Sequence, residues 1–186
     1  MSRLSIFPER SITEDADGPQ PVLVIDEPKR IQLELDRRGI AFEQWPAAKA
    51  LTQGLEQDTI LAAYQAEVAR IQAKGGYQTV DAIRMTPDHP DRDALRLKFL
   101  SEHTHAEDEV RFFVEGQGLF SLHIGAEVLV TLCERGDLIS VPAGTRHWFD
   151  MGHAPCFCAL RFFNNPQGWV ADFTGDAISS RFPRLD

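Results

Sequence analysis

The stretch EHTHAEDEVRF, residues 102–112, carries more information about the fold than any other part of the chain. Side chains alternate between the two faces of an extended chain. Because His103, His105 and Glu109 all carry odd numbers, a strand with at most a gentle turn would send them to one side. The spacing therefore predicts that two imidazoles and one carboxylate converge.

A second stretch, GDLISVPAGTRH at residues 136–147, adds a further histidine. Pro142 and Gly144 predict a tight turn after a strand, so that His147 re-enters the wall of a barrel and points inward. Three nitrogen donors and one carboxylate oxygen suit first-row divalent metals such as iron, nickel, manganese, cobalt or copper better than magnesium or calcium. The predicted ligands of this metal are His103, His105, Glu109 and His147.

Short segments rich in β-branched and aromatic residues alternate with turn residues from Tyr77 to Phe163. Strands at this spacing predict a closed barrel or a jelly roll. The Glu115–Gly118 stretch, with glycines where a positive φ is needed, predicts a hairpin turn. The eight predicted strands are Val80–Met85, Arg96–Leu100, Val110–Val114, Leu119–Ile124, Val128–Cys133, Leu138–Val141, Trp148–Met151 and Phe157–Phe163.

The part of the chain ahead of these strands has a mixed α/β pattern. A strand is predicted at Val22–Ile25, a helix from Pro28 to Gly39 and a strand at Ile40–Trp45. A longer helix is predicted from Asp58 to Gly75, where apolar residues recur at three- and four-residue spacing. We therefore expect one mainly β domain over residues 1–186, with a few flanking helices in the N-terminal half. Its expected parts are a mixed lead-in at 1–76 packed on the barrel, a barrel core at 77–163 and a C-terminal tail at 164–186.

The composition argues against several classes of partner. The 28 acidic and 19 basic residues give a formal net charge of -9, which disfavours binding to nucleic acid and to anionic membranes. No apolar run approaches the roughly 20 residues that a membrane span needs. Cys133, Cys156 and Cys158 make an odd set whose simplest interpretation is reduced thiols in a cytoplasm. We expect the protein to be a monomer.

Together, the two stretches resemble the two motifs of the cupin superfamily, Gly-x5-His-x-His-x3,4-Glu-x6-Gly and Gly-x5-Pro-x-Gly-x2-His-x3-Asn. The leading Gly of the first motif falls at Leu97, and the closing Asn of the second falls at Met151. Neither position is a predicted ligand, so these two differences from the cupin motifs do not change the predicted metal site. The resemblance implies the cupin fold, which is a double-stranded β-helix or jelly-roll barrel.

Residues 102–112 are similar, more closely, to the signature stretch of the acireductone dioxygenase family. The likeness extends to Ile31–Trp45, Gly136–Asp150, Arg161–Phe163 and Trp169. It implies a methionine-salvage enzyme that cleaves 1,2-dihydroxy-5-(methylthio)pent-1-en-3-one with dioxygen. In this family an iron form gives 4-methylthio-2-oxobutanoate and formate, whereas a nickel form gives 3-(methylthio)propanoate, formate and carbon monoxide.

The resemblance also implies one Fe²⁺ or Ni²⁺ per chain and no organic cofactor. Three neutral imidazoles and one carboxylate leave a divalent ion with a net charge of about +1, which attracts an anionic chelating substrate. Six-coordination leaves two positions open. An enediol that binds both as a dianion becomes electron-rich enough to pass electrons to dioxygen, so a single metal would suffice.

Arg111 lies two residues past Glu109 on the same predicted face, where a cation would stabilise a substrate dianion. The family resemblance gives Arg111 this catalytic and substrate-binding role. The alternative is a structural salt bridge with Glu102, Glu107 or Asp108.

Other residues are candidates for the walls and supports of the site. Phe149 and Trp169 are expected to contact the methylthio tail, or else to be ordinary core residues. Arg161 lies in a stretch that resembles the family, which places it among the substrate-binding residues. Glu102 and Asp108 flank predicted ligands and are expected to orient imidazoles, with solvated surface charge as the alternative. The histidines expected to be ordinary surface or core residues are His89, His123 and His153.

Two other kinds of function share these ligands. Another metal-dependent cupin could be a different dioxygenase, or an isomerase that uses the metal as a Lewis acid. A cupin could also bind a small ligand without catalysis, because fold alone does not determine function. Oxygen consumption with an acireductone separates these functions.

Overall fold

The computed structural model describes residues 1–10, 18–47, 49, 51, 54–165 and 169–185. These residues form twelve β-strands, four α-helices and one 3₁₀-helix. The strands are β1 (Arg3–Pro8), β2 (Leu23–Ile25), β3 (Ala41–Gln44), β4 (Thr79–Met85), β5 (His103–Thr104), β6 (Glu109–Glu115), β7 (Gln117–Ile124), β8 (Glu127–Glu134), β9 (Asp137–Val141), β10 (Arg146–Asp150), β11 (Phe157–Phe163) and β12 (Asp172–Phe173). The helices are α1 (Pro28–Asp36), α2 (Gln57–Ala63), α3 (Gln65–Gly75), α4 (Arg92–Leu100) and the 3₁₀-helix Ile178–Arg181.

The strands form two antiparallel sheets. The larger sheet has seven strands in the order β12-β5-β10-β7-β8-β1-β2, and the smaller has five in the order β3-β9-β6-β11-β4. All four α-helices end by Leu100, ahead of most of the strands. The predicted mainly β fold with flanking helices is therefore confirmed. The sheets also take in β1, β2 and β3 from the lead-in and β12 from the C-terminal tail.

The inward faces of the two sheets pack against each other in the main hydrophobic core. Phe113 on β6 contacts Phe120 on β7 and Phe149 on β10, with ring centroids 6.5 Å and 6.4 Å apart. The other face of β6 carries Phe112, which packs under α2 and α3. Because side chains alternate along a strand, even-numbered positions of β6 face these helices and odd-numbered positions such as Arg111 face the interior.

The predicted strand at Arg96–Leu100 is wrong, because these residues belong to helix α4. The buried residues of α4 are Arg96 and Leu100, whose four-residue spacing is that of one helix face. Asp93 in the first turn and Lys98 in the last turn also complement the helix dipole. The other seven predicted strands are present, with small shifts of their ends.

The helix predicted from Asp58 to Gly75 consists of two helices. They meet at Tyr64, whose φ of -112° and ψ of 25° depart from helical values. The Tyr64 ring is buried against Phe112 at a centroid distance of 5.9 Å. Gly76 then ends α3 in the left-handed region, with a φ of 71°. None of the helices in the described part of the chain has the length and apolar character that a membrane span requires.

The Glu115–Gly118 stretch is a corner between the two sheets, not the predicted hairpin turn. It leads from β6, which pairs with β9 and β11, to β7, which pairs with β8 and β10. Gly116 adopts a φ of 66°, and a Cβ atom at this position would overlap the carbonyl oxygen of Cys156. Gly125 lies in a true hairpin turn between β7 and β8 with a similar φ of 61°, but a Cβ atom there would meet nothing within 4 Å.

We expect Gly116→Ala to destabilise the fold far more than Gly125→Ala. Both substitutions place a side chain at a positive φ, which costs about 1–2 kcal/mol, but only Gly116→Ala also drives a methyl group into a backbone carbonyl. The free energy of unfolding, measured by urea denaturation, should fall by about 1 kcal/mol for Gly125→Ala and by at least about 3 kcal/mol for Gly116→Ala. Equal losses would show that the corner relaxes and that this close approach does not constrain the fold.

Candidate metal centre

Two of the four predicted ligands come from neighbouring strands of the seven-stranded sheet. His103 on β5 lies directly opposite His147 on β10, and their ring centroids are 4.5 Å apart. The turn that contains Gly144 precedes β10, as predicted, and Gly144 has a φ of 75°. His147 is 2% exposed and faces the interior. The cross-strand register therefore brings together histidines from two distant stretches of sequence.

The other two predicted ligands lie where the chain passes from one sheet to the other. His105 follows β5 of the seven-stranded sheet, and Glu109 begins β6 of the five-stranded sheet. As their odd numbers predict, the two side chains lie on the same side of the chain. The backbone turns from one sheet to the other between His105 and Glu109, however, so no single strand contains both residues. The Oε2 atom of Glu109 lies 3.1 Å from Nε2 of His105 and 3.0 Å from Nε2 of His147.

The four side chains form a compact and buried set of donors. One donor atom from each residue lies within 4.8 Å of the other three. Each imidazole also hydrogen-bonds a backbone carbonyl oxygen through Nδ1, and because a carbonyl oxygen only accepts, Nδ1 carries the proton. The Nε2 lone pairs are then available at the centre, so the set fits one divalent ion. The Nδ1–oxygen distances are 2.7 Å from His103 to Ser101, 2.8 Å from His105 to Val170 and 2.8 Å from His147 to Thr145.

The ionisation of His103 and Glu109 matches metal binding, whereas that of His105 opposes it. Burial lowers the pKa of His105, but its hydrogen bond to Glu109 and the Glu109 charge outweigh burial and raise this pKa, so a metal competes with a proton at Nε2 of His105. Burial, together with the neighbouring His147, lowers the pKa of His103 to about 4. Burial opposes ionisation of Glu109, but the Arg111 charge and the hydrogen bonds from His105 and His147 outweigh it and hold the pKa of Glu109 well below its usual value. At neutral pH the site offers a neutral His103 imidazole and an ionised carboxylate, the forms in which both groups bind metals.

Arg111 is buried and forms an ion pair with Glu109, rather than with Glu102, Glu107 or Asp108. The Arg111 Nε atom lies 2.8 Å from Oε1 of Glu109. The two atoms are poorly aligned, so within the described residues this carboxylate oxygen has no hydrogen-bond partner. Oε1 therefore faces the Arg111 guanidinium, and Oε2 is the oxygen placed to bind a cation among the imidazoles.

A cavity of about 260 Å³ opens onto the predicted ligands. His103, His105 and Glu109 line it on one side. This volume suits a small organic molecule rather than a macromolecule. The remaining walls include the aromatic residues Phe99, Phe149, Phe163 and Trp169 and the charged residues Asp81, Lys98, Arg111 and Arg161.

The residues predicted to bind substrate, Arg111, Phe149, Arg161 and Trp169, all line this cavity. The guanidinium carbon of Arg111 lies 4.4 Å from the ring centroid of Phe149 and 5.4 Å from that of Trp169. Trp169 also stacks on His105, with ring centroids 6.1 Å apart and ring planes 26° apart. Phe149 belongs to the main hydrophobic core as well, so both interpretations of this residue fit its position.

Within the described residues, no hydrogen bond joins the Glu102 carboxylate to a predicted ligand imidazole. The three ligand imidazoles are oriented by backbone carbonyl groups instead. The buried Glu102 carboxylate accepts hydrogen bonds from Nδ1 of His123 at 2.6 Å and from Oγ1 of Thr174 at 2.7 Å. His123 is therefore a core histidine, as expected, and Glu102 connects β5 to β7 and to the segment after β12.

Asp108 supports two neighbours of the site. Its Oδ1 atom accepts a hydrogen bond from the backbone N–H of Ala143 at 3.0 Å, in the turn ahead of His147. Its backbone carbonyl oxygen accepts a hydrogen bond from the indole N–H of Trp169, also at 3.0 Å. Asp108 thus stabilises the surroundings of the ligands, but its carboxylate does not hydrogen-bond their imidazoles in the described structure.

Six further residues that line the cavity were not predicted from the sequence: Thr79, Asp81, Lys98, Phe99, Phe163 and Ala171. Lys98 and Phe99 lie on α4, which was interpreted as a strand. Leu95 and Phe99, which both pack against the main core, have the four-residue spacing of a helix face and are a signal that would have found them. Thr79 and Asp81 lie on β4 and reach the cavity through pairing with β11, for which the local sequence carries no signal.

The chain is similar to known proteins along most of its length. The model of the ARD/ARD′ family matches residues 11–171. The acireductone dioxygenase of Parasynechococcus marenigrum (strain WH8102) is 73% identical over 186 residues, covering 100% of both chains, and that of Synechococcus sp. (strain CC9902) is 68% identical with the same coverage. A solved structure of acireductone dioxygenase from Bacillus anthracis, with a cadmium ion in its active centre, is 28% identical. It superposes with a TM-score of 0.79 and covers 93% of this chain and 98% of that chain.

We expect Glu102→Ala to destabilise the metal-depleted protein by about 3 kcal/mol, because it leaves Nδ1 of the buried His123 without its hydrogen-bond partner. Thr174→Val removes one hydrogen bond to the same carboxylate and should cost only about 1 kcal/mol. Urea denaturation in the presence of a chelator measures both free energies of unfolding. A loss below that of Thr174→Val would contradict the conclusion that Glu102 holds β5 in place.

Proposed function

The chain belongs to the ARD/ARD′ family, and from this premise we propose that it is an acireductone dioxygenase. The proposed reaction is the cleavage of 1,2-dihydroxy-5-(methylthio)pent-1-en-3-one by dioxygen in methionine salvage. One observation carries the proposal: three imidazoles and one carboxylate converge, buried, beside a cavity that suits a small molecule. The full-length relatives that bear this name support it.

We propose that the four converging side chains bind one Fe²⁺ or Ni²⁺ ion. The cadmium ion in the active centre of the Bacillus anthracis relative supports a divalent ion in this family. When bound, the metal would supply Lewis acidity that stabilises the enediolate form of the substrate. The products are then those of the family: 4-methylthio-2-oxobutanoate and formate with iron, or 3-(methylthio)propanoate, formate and carbon monoxide with nickel. The proposed ligands are His103, His105, Glu109 and His147.

Arg111 is the proposed catalytic residue. Its guanidinium group is held beside Glu109 and over the rings of Phe120 and Phe149, at 5.3 Å and 4.4 Å from their centroids. A fixed and buried cation stabilises an enediolate oxygen more strongly than a mobile cation in water does. Arg111 therefore lowers the cost of removing the second proton of the enediol and keeps the resulting dianion in the cavity.

The aromatic walls of the cavity are proposed to hold the methylthio tail. Phe149 and Trp169 line the cavity together with Phe99 and Phe163. A thioether packs favourably against aromatic rings, and the tail carries no charge that would oppose this burial. Trp169 stacks on His105, so the same ring that would contact the tail also lies against a proposed ligand.

We further propose that the protein acts as a monomer in the cytoplasm. One chain supplies all four proposed ligands and the proposed catalytic arginine. The three cysteines are free thiols, in keeping with a reducing compartment. An acidic chain also has little attraction for nucleic acid or for anionic membranes.

The function is tested by loading metal-depleted protein with Fe²⁺ or Ni²⁺, mixing it anaerobically with synthetic acireductone and then adding oxygen. We expect 2-oxo acid and formate from the iron form, and carbon monoxide from the nickel form only. His105→Ala should lose both bound metal and turnover, because it removes one donor of the set. His89→Ala, which alters a histidine in the turn ahead of α4, should retain both. Oxygen uptake without carbon–carbon cleavage would contradict the proposed reaction.

Arg111→Met separates charge from packing, because methionine retains contacts with the aromatic rings but carries no cation. We expect metal content to remain unchanged and kcat/KM to fall roughly a hundredfold, the effect of losing about 3 kcal/mol of electrostatic stabilisation. The control is Arg181→Met, on the 3₁₀-helix and away from the cavity. Normal turnover in Arg111→Met would show that the cation has no part in the reaction.

A further inference from the structure

Asp81 is a charged residue of the cavity wall that has no role in the proposed reaction so far. Asp81 lies on β4 and binds Arg161 through both carboxylate oxygens. The Arg161 Nε–Asp81 Oδ1 distance is 2.8 Å, and the Nη2–Oδ2 distance is 2.6 Å. Two parallel hydrogen bonds of this kind fix the orientation of a guanidinium group as well as its position.

The ion pair belongs to a row of charges that crosses three strands. Asp81 on β4 lies directly opposite Arg161 on β11, and Arg161 lies directly opposite Arg111 on β6. Glu109, two residues before Arg111 on the same strand, ends the row. Like charges that face each other across strands repel. Without Asp81, the two guanidinium groups would therefore tend to move apart.

The contacts of Arg161 show how the ion pair restricts it. Its guanidinium carbon lies 5.4 Å from the ring centroid of Phe163 and 5.6 Å from that of Trp169. The ion pair uses Nε and one proton of Nη2, which is a single edge of the planar group. Both protons of Nη1 and one of Nη2 are left over, so Arg161 still has donors for a second anion.

We propose that Asp81 is a positioning residue that holds the Arg161 guanidinium in the cavity wall as a second cation, beside Arg111, for an anionic substrate. This inference rests on the proposed function, because the anion is the enediolate. Arg111 serves the end of the substrate near the metal ligands, and Arg161 offers its free donors from the neighbouring strand. Asp81 touches neither the substrate nor the reacting atoms and acts only through Arg161.

Asp81→Asn tests the proposal, because it retains the size of the side chain but removes the charge that anchors Arg161. We expect KM for the acireductone to rise about tenfold with little change in kcat, the effect of weakening one charged contact to the substrate. Asp81→Glu keeps the carboxylate and should recover most of the affinity. The matched control is Asp26→Asn, which breaks a similar ion pair between Asp26 and Arg3 outside the cavity.

The charge-swapped double variant Asp81→Arg/Arg161→Asp distinguishes positioning from mere stabilisation. It restores an ion pair between β4 and β11, but it places a carboxylate where the proposal requires a cation. We expect its thermal midpoint to recover relative to Asp81→Asn, while KM stays at least as high as in Asp81→Asn. A structural role alone would restore both the thermal midpoint and KM.

The KM values distinguish a positioning role of Asp81 from a purely structural role. Unchanged or lowered KM in Asp81→Asn, or wild-type KM in the charge-swapped variant, would overturn the role of Asp81 while the proposed function stands. Failure of wild-type protein to turn over acireductone would overturn the proposed function and the Asp81 proposal together. If Asp81→Asn does not fold, the charge-swapped variant decides: a raised KM supports the role of Asp81, and a wild-type KM overturns it.

Discussion

The constraint on which the site depends is the orientation of three buried imidazoles toward one point. Two of them are oriented locally, because His103 and His147 each hydrogen-bond the carbonyl group two residues earlier in the chain. His105 instead depends on the carbonyl group of Val170, 65 residues away. A donor set held by backbone groups keeps its geometry without a charged partner for each histidine. The C-terminal segment is therefore a structural part of the metal centre.

The fold also pairs the charged side chains that it places inside the barrel. Glu109 is buried beside Arg111, Arg111 faces Arg161 across β6 and β11, and Arg161 binds Asp81 at the next strand. Isolated buried charges are costly, but here each arginine has a carboxylate neighbour, which offsets the cost of burial and the repulsion between the two arginines. The same alternation of side chains that buries aromatic residues under α2 and α3 turns these charges toward the cavity.

The sequence alone predicted the ligands, because their spacing and the turn before His147 are local features. It did not predict the path of the backbone between His105 and Glu109, for which a strand with at most a gentle turn was expected. The chain passes from one sheet to the other there, and only the pairing partners of β5 and β6 show this. Strand β1 has no strong local pattern, yet it pairs with β8 along its whole length. Asp81 could not be predicted for a similar reason, since its importance arises from register with a strand 80 residues away. Features that depend on neighbouring residues in the sequence could therefore be predicted, whereas the pairing of strands far apart in the sequence could not.

The charges of this row also determine how metal binding affects substrate binding. Its two cations, Arg111 and Arg161, are matched by two carboxylates, Glu109 and Asp81, so the row by itself carries no net charge. The chain as a whole has a formal charge of -9. Lys98 adds a third cation to the two arginines and two carboxylates of the cavity lining, so the metal-free cavity carries a small positive charge and a bound divalent ion would supply the larger share of the attraction for a dianion. Substrate binding is accordingly coupled to metal binding by electrostatics, even before the substrate oxygens approach the metal.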